Sequence, residues 1–255
     1  DLAAQVALSH LRLRNDPTFA REVLAGAAAM GESRAQVIAR AELLVRDSPD
    51  QWRAAVAMLD AMPPAGGPDY LLHYSRAMIR FAARQEFAAA LADIDRAVSI
   101  RPRAWQAHRL RLNLLIGMQR WQEARAEADL LLASPWIDYD WRIWSDAAVL
   151  AAILENPEQG IEEMTRFFER NPFAAREWNW MAQTLESTAR SHEARDAGNN
   201  RDRILRNEAR YNHRLARWHE TRGNREQARQ LLRQLIADDP DNRLAREDLA
   251  RVDGR

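Results

Sequence analysis

The sequence contains no cysteine, which excludes disulfides, thiolate metal sites and cysteine nucleophiles. That absence suits a reducing and an oxidising compartment equally, so cytoplasm and periplasm both stay open. Lysine is absent too, and all 37 basic side chains are arginines. A GC-rich coding bias and selection for the two-pronged guanidinium contact with carboxylates both produce that pattern. The 37 arginines face 37 acids. This balance removes the long-range phosphate attraction of a general nucleic-acid binder, so no nucleic acid is expected as a partner. Glycine (9) and proline (10) are few and fall mainly at breaks in the apolar pattern, which favours an all-helical chain. No apolar run approaches the ~20 residues of a membrane-spanning helix. A signal-peptide pattern and an initiator Met are both missing, as in a mature product, a trimmed chain or one domain of a longer protein.

Signatures of catalysis are also missing. There is no P-loop, no G-x-G-x-x-G, no G-x-S-x-G and no H-E-x-x-H. The 6 histidines are scattered, and His213 and His219 would lie on different faces of a helix. His108 falls at a packing position. Paired acids such as Glu162-Glu163 and Asp238-Asp239 sit in charged, solvated stretches. No metal site and no cofactor is implied, and a non-catalytic protein is expected.

What the chain does have is a repeat. With 47% apolar and 29% charged residues it can bury a large core. Between Leu71 and Asp138 the same pattern is written twice, about 34 residues apart. Tyr74, Met78 and Phe81 lead through a polar break to Phe87, Ala90, Ile94, Ala97 and Pro102. His108, Leu112 and Leu115 lead in the same way to Trp121, Ala124, Ala128 and Leu131. Further along, Trp144, Ala147 and Ala151 precede Asn156-Pro157, then Gly160, Met164, Phe167 and Pro172. Trp178, Met181 and Leu185 precede Ala194, and Leu215 and Ala216 precede Gly223, Ala228, Leu232, Leu235 and Pro240. Such a helix–turn–helix unit cannot bury its apolar face alone and must stack on copies of itself.

Around this core the boundaries are as follows. Residues 1–62 read as divergent helical hairpins, beginning with a helix over Leu2–Arg14 and with Ser33 as an N-cap. Residues 63–69, rich in proline and glycine, are a long loop or a hinge. Regular repeats occupy 70–240, and a charged capping helix with its tail occupies 241–255. One stretch breaks the pattern. After Ala194 come Gly198, Asn199, Asn200 and Arg201 where apolar residues are expected, so a weakened or broken outer helix is predicted around Ala197–Asn200. Trp52, Trp121, Trp144 and Trp178 fall at packing positions, whereas Trp141 and Trp180 do not.

The aromatic opening, the small residue about four later, the alanine after the turn and the closing proline resemble the tetratricopeptide repeat. The resemblance implies an all-α, right-handed α-solenoid of about seven antiparallel hairpins with a C-terminal capping helix, about fifteen helices in a single superhelix, of the bacterial type. It also implies a site. In that family the second, fifth and ninth repeat positions of the inner helix point into the concave groove. Here they are Gln106, Arg109 and Asn113; Arg142, Ser145 and Val149; Arg176, Asn179 and Gln183; and Arg210, His213 and Arg217. Their i, i+3, i+7 spacing puts each triplet on one helical stripe in any case. Trp180, beside the stripe, either packs on a neighbouring hairpin or stacks on a ligand. Arg109 with Asn113 resembles part of a carboxylate clamp, without the lysines that usually complete it.

The function expected is therefore a protein–protein interaction scaffold that holds an extended, acidic peptide or protein segment through its row of arginines. The alternative expectation is a regulatory or targeting module of a larger transferase or of an envelope or polysaccharide export machine. The fold speaks for neither in particular.

Overall fold

The computed structural model describes residues 8, 17–27, 33–63, 65–134, 140 and 142–254. Most of the helix expected over Leu2–Arg14, and Trp141, lie outside them. Among the described residues there are thirteen α-helices and no strand. They are α1 (Pro17–Ala27), α2 (Arg34–Asp47), α3 (Trp52–Asp60), α4 (Tyr70–Ala82), α5 (Phe87–Ile100), α6 (Trp105–Gly117) and α7 (Trp121–Leu132). Then follow α8 (Arg142–Leu154), α9 (Pro157–Arg170), α10 (Ala175–Ser187), α11 (Ser191–Thr221), α12 (Arg225–Asp238) and α13 (Arg243–Asp253). From α1 to α7 and from α9 to α13, helices consecutive in the chain pack on one another, as in a helical repeat. The chain divides into two compact units, Asp1–Leu150 and Ala151–Arg255, with the division inside α8.

Local sequence explains where the helices begin and end. Ser33 caps α2 with a capping box, its side chain accepting from Gln36 while Gln36 answers to the Ser33 amide. Asn156 caps α9 ahead of a first-turn proline. Helices α4, α6, α10 and α11 all stop in the same way. Arg84, Gln119, Ala189 and Gly223 take left-handed backbone (φ 53, 58, 60 and 78°). The next amide then reaches back to the carbonyl five residues earlier: Gln85 to Arg80, Arg120 to Leu115, Arg190 to Leu185 and Asn224 to His219. This is the Schellman ending, and only Gly223 adopts it without a Cβ penalty.

After each turn a small residue lets two helices approach. Ala90, Ala124, Gly160, Ala194 and Ala228 are all buried. In the first unit the core runs from Ala20, Ile38, Trp52 and Leu59 through Ile79, Ile94, Leu112, Leu114 and Leu131. Trp52 is buried, whereas Trp121, Trp144 and Trp178 are only half-buried. The 63–69 loop is tied at both ends by Arg34, which donates to the Pro63 carbonyl and to Asp69. In the second unit Phe168 stacks on Trp178 at 3.6 Å, and the Trp178 indole donates to the Pro172 carbonyl. Ala216, Leu232, Leu235, Ala245 and Val252 form its C-terminal core.

One expectation fails. The helix is not broken around Ala197–Asn200: α11 runs without interruption for 31 residues. It joins the outer helix of one repeat to the inner helix of the next. Gly198 and the asparagines lower helix propensity by no more than ~1 kcal/mol each. Burial of Ala197 and Ile204 and the Arg201 contacts to Asn179 and Asp202 outweigh that loss. What would have ended the helix is a proline. Pro102, Pro172 and Pro240 follow the outer helices α5, α9 and α12, but the corresponding place is Arg206.

Candidate functional site

The first unit carries a groove of about 1240 Å³ between α4, α6 and the Arg101–Ala104 turn that joins α5 to α6. Tyr70, Leu71, Tyr74, Met78 and Phe81 of α4 form one wall, Trp105 and Leu110 of α6 another, and Leu8 also borders it. Tyr70 and Tyr74 stack at 5.7 Å, and the Arg101 guanidinium lies 4.7 Å over the Tyr70 ring. Most of these apolar side chains are only half-buried, which leaves faces able to accept another side chain.

The wall is held from behind. On the opposite face of α4, Arg76 and Arg80 both grip the buried Asp93 of α5, and His73 Nδ1 lies 3.1 Å from the same carboxylate. Arg76 also reaches Asp60 at 2.7 Å, and Ser75 donates to the buried Glu42 at 2.7 Å. The turn at the floor is held by His108. Its Nδ1 lies 2.6 Å from Glu127 and its Nε2 2.9 Å from the Pro102 carbonyl. Carboxylate and carbonyl only accept, so both ring nitrogens donate and the ring is an imidazolium. The Glu127 hydrogen bond raises the His108 pKa against the opposing effect of burial, with the Pro102 carbonyl adding to it. Burial pushes Glu127 up, but hydrogen bonds from His108 and Arg111 outweigh that and hold it below the usual carboxylate range.

The sequence-derived positions fare differently. Gln106, Arg109 and Asn113 come together on this groove. Arg109 is already neutralised, held by Asp140 at 2.8 Å and by Asp146, so the clamp-like pair is filled from within. Arg142 is exposed at the start of α8, while Ser145 is buried and donates to the Arg142 carbonyl. Arg176 and Gln183 are exposed on α10; Asn179 accepts from Arg201, and Trp180 is half-buried. Arg210 and Arg217 are exposed on α11. His213, on the same stripe, approaches Asp248 of α13 to 2.9 Å without hydrogen-bonding alignment. Missing from the sequence-derived set are Tyr70, Tyr74, Met78 and Phe81. The last three carry the repeat signal, and that signal does not separate packing from lining.

Stacked helical hairpins with recurring turns, and a groove walled by their side chains, define an α-helical repeat protein. Residues 209–252, the second half of α11 with α12 and nearly all of α13, match the model of the tetratricopeptide repeat. No curated protein sequence matches the chain. Solved structures of MamA share the fold. MamA 41-end from Desulfovibrio magneticus RS-1 is 15% identical, with a TM-score of 0.61 over 70% of this chain and 98% of that one. MamA MSR-1 is 12% identical, with a TM-score of 0.56 over 69% and 95%. A further MamA crystal structure is 10% identical, with a TM-score of 0.57 over 65% and 95%.

Among the described residues no cluster of His, Asp and Glu could hold a metal ion, and no helix is long and apolar enough to cross a membrane.

Proposed function

We propose that the chain is a non-catalytic interaction scaffold that holds an extended segment of a partner protein in the α4–α6 groove. The observation that carries this reading is the row of half-buried aromatic and apolar side chains along α4, braced from behind by the Asp93 network. Apolar side chains of the segment would lie on Tyr74, Met78 and Phe81. Arg101 and Arg103 at the α5–α6 turn, with Gln106 and Asn113 as amide donors, suit carboxylates flanking them.

The test is selection of peptides from a random display library against the folded protein, followed by titration. Selected sequences should pair apolar residues with Asp or Glu, and their affinity should fall as salt rises. Tyr74→Ala or Trp105→Ala should each cost about 2 kcal/mol of binding, as aromatic anchors do. Peptides that bind these variants as tightly as the parent protein, at low and high salt alike, would remove the groove from the proposal.

A further inference from the structure

The second unit carries a different kind of surface, which exists only because α11 is continuous. Arg203, Arg206, Arg210, Arg214 and Arg217 are all exposed. Their spacing of three, four, four and three residues keeps them within about a quarter of the helix circumference, along about 21 Å of its length. In two antiparallel helices separated by a turn, Arg203 and Arg206 would not continue the line of the other three. The missing proline at Arg206 therefore creates a rail of guanidinium groups.

These five arginines have no carboxylate partner among the described residues. Arg203 bonds only the Asn200 amide oxygen, and Arg214 reaches the Arg210 carbonyl of its own helix at 3.5 Å. Several other arginines of this unit are paired. Arg166, Arg190, Arg229, Arg243 and Arg251 each hold an acid. The acids of α11 nearest the rail are spoken for, Asp202 by Arg201 and Glu220 by Arg251. Five uncompensated like charges in one line repel each other, and an anionic partner relieves that repulsion.

Along one edge of the rail stand Tyr211 and Trp218, 62% and 46% exposed and two helical turns apart. Beside Tyr211 opens a cleft of about 480 Å³ formed with Phe173, Ile204, Asn207, Glu208 and Asn212. Phe173 is itself 76% exposed. We infer that rail and cleft are a second docking surface, taking an acidic polypeptide helix whose carboxylates recur at alternating three- and four-residue spacing and whose apolar side chain enters the cleft. This goes beyond the groove of the first unit and does not depend on it.

Three other occupants fit less well. A second copy presenting the same face would oppose arginine to arginine. A nucleic acid is disfavoured on a chain whose charges balance, which lacks the long-range phosphate attraction such a partner needs. A membrane-bound helix buries a broad apolar face bordered by cations, whereas here the cations occupy the face and the aromatics only one edge.

The probe is a fluorescently labelled synthetic helical peptide with glutamates at that alternating spacing and one leucine as anchor. Its control is a peptide of identical composition with the glutamates shuffled. Anisotropy titrations of the full chain should show the registered peptide binding about tenfold or more tightly than the shuffled one. The triple variant Arg206→Gln, Arg210→Gln, Arg214→Gln should lose that advantage. Glutamine keeps good helix propensity at exposed positions, and an unchanged helical circular dichroism spectrum and melt certify the fold. Tyr211→Ala should weaken binding through the cleft, while Tyr74→Ala in the first unit should leave it unchanged. Equal affinity for registered and shuffled peptides, or for parent and triple variant, overturns the inference. So does tighter binding of a single-stranded oligonucleotide or of phosphatidylserine vesicles, which would assign the rail to phosphate.

Discussion

At the level of single residues, His108 joins two acceptors, Glu127 and the Pro102 carbonyl, and thereby ties α6 to α7 and to the turn that floors the groove. Its raised pKa makes the stabilisation complete below the ordinary histidine value of 6.5 and removes it as pH climbs through the folded value. Glu127 has the opposite sense: its contribution is complete above the ordinary 4.5 and is lost as pH falls through its lowered folded value. The pair is therefore worth most between those two ordinary values. Melting temperature should decline on the alkaline side, and His108→Gln should flatten that limb; parallel profiles for both proteins would mean that the ring is not an imidazolium. Packing gives a second residue-scale expectation. Ala124 is fully buried where two helices cross, so Ala124→Leu should lower stability by about 1–3 kcal/mol in denaturant melts.

Elements are decided by their ends. The Schellman turns place non-glycine residues at positive φ three times, and the left-handed region costs an L-residue about 1–2 kcal/mol. Gly223→Ala should therefore destabilise by about that amount, and Ala189→Gly should raise the melting temperature, the extra freedom of glycine in the unfolded chain offsetting part of the gain. Within α11 the weak point is Gly198, around which a Cβ would meet nothing within 4 Å. Gly198→Ala should add about 1 kcal/mol. Native-state hydrogen exchange across 197–200 should change smoothly from residue to residue, with no gap of protection at the asparagines.

Across the whole molecule, much of the fold was legible because repeats announce themselves through periodic residues. Ala90, Ala124, Ala194 and Ala228 mark crossings, and Pro102, Pro172 and Pro240 mark outer-helix ends. The continuity of α11 does not follow from the poor helix formers at 198–200, which suggest a break; it follows from the absent stop signal at Arg206. The site was less legible. Arg109 looks like a ligand contact in the sequence, yet Asp140 and Asp146 reach it from much later in the chain. Conversely Tyr74 and Met78 read as core, and only the structure shows them lining a groove. Apolar periodicity reports which face is turned inward, and says nothing of whether a neighbour fully covers it. The unbroken helix also bears on how the chain reaches its native state. Starting a helix is slow and unfavourable, whereas extending one is easy. Two repeats that share α11 share a single nucleation event, so the repeat at 209–252 inherits its first turn from the one before it. Ala197→Gly should accordingly delay the ordering of residues 209–221 in pulse-labelled refolding, although it lies a dozen positions away from them.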